Sequence, residues 1–155
     1  MLIMTTKVDK RKLLIAAAAI LAAIAGLFFL GGPGDAQPTA DMTAAAAADT
    51  NDARVKFLTD LGWEVTPSPA ETGEVKIPRE PDEVFERYNA LQKSQGYDLS
   101  KYAGKKVMRY VYQVKNYPEA REPVYATLLV YKDQIIGGDI TDTTPGGKVQ
   151  GFSKN

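Results

Sequence analysis

The sequence predicts an α+β domain: an antiparallel sheet of three to four strands covered by two helices, preceded by one transmembrane helix. Three observations predict it. Residues 13–30 read LLIAAAAILAAIAGLFFL, an unbroken apolar run. Two later stretches carry helical spacing between cap and stop residues, at 50–62 and 81–96. Three strand-like runs then follow one another from Lys106 to Ile140, separated by short polar connections.

The apolar run spans about 27 Å as a helix at ~1.5 Å per residue, close to the ~30 Å hydrocarbon core of a bilayer. Ten of its residues are Leu, Ile or Phe. At roughly −0.3 to −0.6 kcal/mol each they favour insertion by about 3 to 6 kcal/mol. Lys7, Lys10, Arg11 and Lys12 precede the run, and no Lys or Arg follows until Arg54. This asymmetry predicts residues 1–12 in the cytoplasm, residues 13–30 as a single-pass signal anchor in the cell membrane, and the rest extracytoplasmic. The small residues Gly34-Asp35-Ala36 before Gln37 offer a cleavage site, in which case the domain is secreted. Residues 31–50, rich in Gly, Pro and Ala, are expected to be a flexible linker, and 51–155 the domain.

Within the domain, Thr50 or Asn51 caps a first helix carrying Val55, Phe57, Leu58 and Leu61, which Gly62 stops. Trp63 to Val65 leaves as an extended segment that Pro67 and Pro69 break. Glu74 to Ile77 alternates as a short strand. Pro81 and Asp82 open a second helix with Val84, Phe85, Tyr88 and Leu91 as its apolar stripe, and Gly96 ends it. Lys106 to Lys115 is a strand with Met108, Tyr110, Tyr112 and Val114 on one face. Pro123 to Tyr131 is nearly continuous in apolar residues, as in a central strand. After the turn at Lys132-Asp133-Gln134, Ile135 to Ile140 returns antiparallel, with Gly137-Gly138 marking a bulge. The two helices are expected on one face of this meander.

The stretches Phe57 to Val65, Tyr88 to Lys105, Arg109 to Pro118 and Leu128 to Ile140, with the closing Gly151-Phe152, resemble bacterial proteins that carry domain-of-unknown-function family 4830. The resemblance covers most of residues 52–152. It implies short membrane-anchored extracytoplasmic proteins of Gram-positive relatives, and it implies no reaction, ligand or catalytic residue. In that family a histidine precedes the closing Gly-Phe; here the position is Gln150.

Composition narrows the chemistry. The chain holds 19 basic and 19 acidic residues and no net charge. Four of each fall in the first fifty, so the domain is neutral too. It lacks the surplus of cations that phosphate neutralisation requires, and no nucleic-acid partner is expected. Cysteine and histidine are both absent. That excludes disulfides, thiolate nucleophiles, serine–histidine catalysis and histidine-ligated zinc. No cofactor is expected.

Carboxylates remain, since an acid pair can work without histidine when the two groups stand roughly 5–9 Å apart. Asp98, Asp139 and Asp142 are the candidates. In the plainer reading, Asp98 caps the turn at Leu99-Ser100 and Asp139 faces solvent. Asp139 and Asp142 alone are too few oxygens for a calcium loop. Of eight tyrosines, Tyr97, Tyr102 and Tyr117 fall in connections beside Asp98, Lys105 and Asn116. Exposed there, Tyr97, Asp98, Tyr102, Asn116 and Tyr117 would form a recognition surface; packed, the tyrosines lock loops onto the sheet. The leading expectation is a membrane-tethered domain that binds a protein or cell-envelope partner. The rivals are a carboxylate-dependent hydrolase of cell-envelope polysaccharide and an inhibitor or regulatory module of a neighbouring membrane enzyme.

Overall fold

The computed structural model describes residues 46–154. The anchor expected at 13–30 lies outside them, and among the described residues no helix is long and apolar enough to cross a membrane. The described chain is α+β. Helix α1 (Asn51–Asp60) leads into β1 (Glu71–Lys76), α2 (Glu83–Ser94) and a 3₁₀ turn (Leu99–Tyr102). Strands β2 (Lys106–Val114), β3 (Val124–Tyr131), β4 (Gln134–Asp142) and β5 (Val149–Gln150) complete it. Five strands form one antiparallel meander in the order of the chain.

Local signals set most boundaries. The Thr50 hydroxyl accepts the Ala53 N–H at 3.1 Å and starts α1. The Asp82 carboxylate accepts the Phe85 N–H at 2.8 Å and starts α2, so Asp82, not Pro81, is the residue that opens this helix. Lys132 and Asp133, both with positive φ, make the two-residue turn between β3 and β4. The register of β3 against β4 shifts between Leu129 and Val130, leaving Ile136 as the extra residue beside Gly137.

The sequence-based layering is corrected here: the helices cover opposite faces. Strand alternation places Tyr112, Val114, Ala126, Leu128 and Ile140 on one side, where they pack with Leu58 and Trp63 beside α1. Val107, Leu129 and Ile136 point to the other side and pack with Ile77, Leu99, Phe85 and Tyr88 beside α2. The unbroken apolar character of β3 has this cause, since both of its faces are covered.

Two further differences concern sheet edges. Strand β5 is two residues long and carries no strand-like run of its own; its pairing with Ile140 and Thr141 creates it. Pairing also starts earlier than residue 51. Ala47 bridges Gln134, the Ala46 carbonyl accepts the Ile135 N–H, and the Ala48 N–H donates to the Asp133 carbonyl. Ala48 is buried. The last residues of the stretch expected to be linker are therefore seated on the start of β4.

Candidate functional site

The buried side chains of α2 are not its apolar ones. Asn89 and Gln92 are buried, whereas Val84 and Leu91 stay partly exposed. With Tyr88 and Gln95, one and three residues away, they form a polar stripe laid along β4. Each of its members has an assigned task. The Tyr88 hydroxyl donates to Asp139 Oδ1 at 2.8 Å. Asn89 Oδ1 accepts the Leu99 N–H, and its Nδ2 donates to Asp98. Gln92 Oε1 accepts the Gly138 N–H at 2.8 Å.

The glycines of β4 make this approach feasible. A Cβ at Gly137 would stand 2.8 Å from Gln92 Oε1. One at Gly138 would collide with the Thr127 carbonyl and the Phe152 ring. Sequence spacing marked these glycines as a bulge; their second task is to admit side chains from both layers.

Asp139 is the centre of the seam. It is 2% exposed, which overturns the expectation that it faces solvent. Its second oxygen accepts the Thr141 hydroxyl at 2.5 Å. Burial pushes the carboxyl above its ordinary range, opposed by the hydrogen bonds from Thr141 and Tyr88 and by the Arg109 cation. Burial likewise pushes the Tyr88 phenol well up, and the charge of Asp139 adds to this. Arg109 itself pairs with Glu71 across β1 and β2 at 2.6 Å.

Asp98 is the opposite kind of carboxylate. It caps the 3₁₀ turn, accepting the Ser100 N–H at 3.0 Å, the Ser100 hydroxyl at 2.6 Å and Asn89 Nδ2 at 3.0 Å. The Ser100 hydroxyl bond, then that from Asn89, holds its pKa at about 2.

The five residues singled out from the sequence do not form one surface. Tyr97 packs edge-on against Phe152, with centroids 6.4 Å apart. Tyr117 stacks on Trp63 at 6.0 Å. Both belong to the α1-side core. Tyr102 packs edge-on against Tyr131 at 5.4 Å on the α2 side. Asn116 accepts the Glu64 N–H and donates to the Gly62 carbonyl, fastening the end of β2 to the loop after α1. The plainer reading of the tyrosines describes these contacts: they hold loops to the sheet.

Sequence reasoning missed a clamp around the segment after β5. Gln95 Nε2 donates to the Gly138 carbonyl at 3.0 Å, and Gln95 Oε1 accepts the Phe152 N–H at 2.7 Å. One carboxamide thus bridges the Gly138 carbonyl and the Phe152 N–H, in place of a direct hydrogen bond between the two segments. Trp63 Nε1 donates to the Phe152 carbonyl at 2.6 Å. The Phe152 ring is buried, with Phe57 edge-on at 5.3 Å and Tyr97 on another side. Lys154 Nζ lies 4.7 Å from the centre of the Trp63 ring. The closing Gly151-Phe152 was the one visible trace of this arrangement, and its partners lie 57 and 89 residues away.

Among the described residues no group of three or more acidic side chains gathers in a way that could hold a metal ion. A family model described as Domain of unknown function (DUF4830) matches residues 57–140, more than half of the chain. No curated protein and no solved structure matches.

Proposed function

We propose, for a chain that belongs to the DUF4830 family, that the domain is a binding module held at the outer face of a membrane by residues 13–30, acting by recognition rather than turnover. The observation that carries this reading is the engagement of its two perturbed carboxylates. Asp98 holds three internal donors, and Asp139 is sealed inside the sheet–helix seam with two. General acid–base work needs a carboxyl within hydrogen-bond reach of a substrate. Both groups instead fasten the fold. The tether follows from the apolar run and the cations on its leading side alone.

The test is a photo-crosslinking pull-down of the full chain from its native membrane, paired with a reporter fused after Asn155. The reading expects a recurrent protein or envelope-polymer adduct and a reporter on the outer side. A cytosolic reporter overturns the tether.

One observation favours the carboxylate-hydrolase reading, namely the raised pKa of buried Asp139, a property shared by many general acids. Asp139→Asn separates the two. A hydrolysis of cell-wall polysaccharide that Asp139→Asn abolishes in a folded protein would replace the binding reading with the enzymatic one.

A further inference from the structure

We propose that the end of the sheet where β1 finishes and β4 begins docks on anionic phospholipid headgroups of the membrane that holds the chain. This goes beyond a bare tether and rests on the tether proposed above.

Antiparallel pairing gathers three cationic connections at this end. Lys76 closes β1 opposite Lys106, which opens β2. The Ile77 N–H donates to the Lys105 carbonyl at 2.9 Å. The Arg79 side chain lies over Gly104, where a Cβ would stand 2.7 Å from Arg79 Nε. Lys101 belongs to the 3₁₀ turn, whose Tyr102 packs edge-on against Tyr131. Lys132 Nζ lies 5.5 Å from the centre of the Tyr131 ring. These six cations are all exposed, and the two tyrosines are partly so.

The acids of this end are Asp49, Glu74, Glu80 and Asp133, and Glu74 is already paired with Lys106 at 3.1 Å. The balance is positive. At the far end, in the connections after α1, β2 and β4, the sign reverses: Glu64, Glu119, Glu122 and Asp142 outnumber the cations there. A domain with no net charge is therefore a dipole along its strands.

Two independent features make a bilayer the surface that fits. Tyrosine with flanking lysine is the chemistry of the membrane–water interface, the ring meeting the acyl boundary and the ammonium reaching the headgroups. Clustered cations near anionic lipid are drawn to it, each by a small increment that adds to the next. The chain also enters the domain beside this end, since Ala47 bridges Gln134, two residues from Lys132. Fifteen residues, 31–45, separate the apolar run from Ala46 and reach at most about 50 Å. Strand β2, with nine residues, is about 30 Å long. The tether thus permits either end to face the bilayer, and the charge difference selects the cationic one.

The experiment places the full chain in vesicles of phosphatidylcholine, with or without about one-third phosphatidylglycerol. The chain has no cysteine, so Ala103→Cys and Ala120→Cys, both at exposed positions, each carry one fluorophore, at the cationic end and the far end. Energy transfer to an acceptor-labelled lipid is expected to be about twofold or more stronger from position 103 than from position 120 in the anionic vesicles. The difference disappears in pure phosphatidylcholine and at about 0.5 M salt. The triple variant Lys76→Gln, Lys101→Gln, Lys105→Gln loses it, while Lys115→Gln, Arg121→Gln, Lys148→Gln, the same change of charge at the far end, keeps it. Matching far-ultraviolet circular dichroism establishes that the variants are folded. Equal transfer from the two labels in anionic vesicles overturns the surface. So does a difference that persists in phosphatidylcholine, which is the tether acting alone, or one that both triple variants lose alike. Resistance to alkaline extraction reports the tether separately. A chain that resists extraction but shows equal transfer keeps the tether and loses this surface; a chain that is extracted loses the tether and the docking with it.

Discussion

The two faces of the sheet are each joined to their helix by one tyrosine hydroxyl and one buried charge, but with the roles exchanged. On the α2 side the helix supplies the phenol, Tyr88, and the sheet supplies the charge, Asp139. On the α1 side the sheet supplies the phenol, Tyr112, and the helix supplies the charge, Arg54, whose Nε donates to the Tyr112 hydroxyl at 3.0 Å. Arg54 also donates to the Ala48 carbonyl at 2.8 Å and lies 3.8 Å over the Tyr110 ring. A guanidinium stays charged at every accessible pH, whereas a buried carboxyl titrates. One seam is therefore a fixed fastening and the other a pH-dependent one.

The largest break in that comparison comes from Arg54→Ala. It removes two charge-assisted hydrogen bonds and a cation–π contact at a buried site, and leaves the Ala48 carbonyl without its donor. A loss of roughly 3 kcal/mol or more is expected, equal at pH 5 and pH 8, as read by urea unfolding. A loss that varied with pH across that range would refute the idea of a fixed α1 seam.

Tyr88→Phe sharpens the other side. The hydroxyl is one of two donors to a buried carboxyl, so about 1–2 kcal/mol is expected to be lost. The pH dependence should also extend to higher pH. The native pKa of Asp139 is raised above its ordinary 3.8, so the native state keeps the proton longer than the unfolded chain. Its contribution is full below about 3.9 and fades as pH rises through the native value. Removing a donor that favours the charged form pushes that value higher and extends the fade. Asp139→Asn should abolish this component and flatten the profile above pH 4. Unfolding curves from pH 3 to 8 check both, and an unchanged slope in Asp139→Asn would show that the seam does not titrate.

The smallest effect belongs to Asp98. Asp98→Ala removes a cap, with a loss of about 1 kcal/mol expected. Its pH signature has the opposite sign. The native value of about 2 lies below the ordinary 3.8, so its contribution is present above 3.8 and lost as pH falls toward 2. Acid unfolding of Asp98→Asn, which keeps an acceptor, should lack that loss.

What the sequence conveyed, and what it withheld, follows from the range over which each feature acts. Caps, turn residues and strand runs act within a few residues, and so α1, α2 and β2 to β4 stand close to their expected positions. Layering acts across the whole chain. The even apolarity of Val124 to Tyr131 already argued for a strand covered on both faces, which is at odds with two helices on one face. The apolar stripe of α2 was misread for a related reason. Gln92 looks like a surface residue by type, and its buried carbonyl oxygen is met by the Gly138 N–H, 46 residues away, and by Gln95 Nε2, while its Nε2 is buried without a partner. Asp98 was legible as a turn cap because its partners Asn89 and Ser100 are near in sequence. Asp139 was not, because Tyr88 is 51 residues distant.

Ala47 lies against one end of β4 at Gln134, and β5 lies against the other at Ile140 and Thr141. Six residues of one strand, about 20 Å, separate the place where the polypeptide arrives from the place where it departs. A mechanical load passed through residue 46 and the release of the closing segment both bear on the same strand. Peeling either one bares backbone groups of β4, and a fragment cut to begin at Asn51 would start life with one of those ends uncovered.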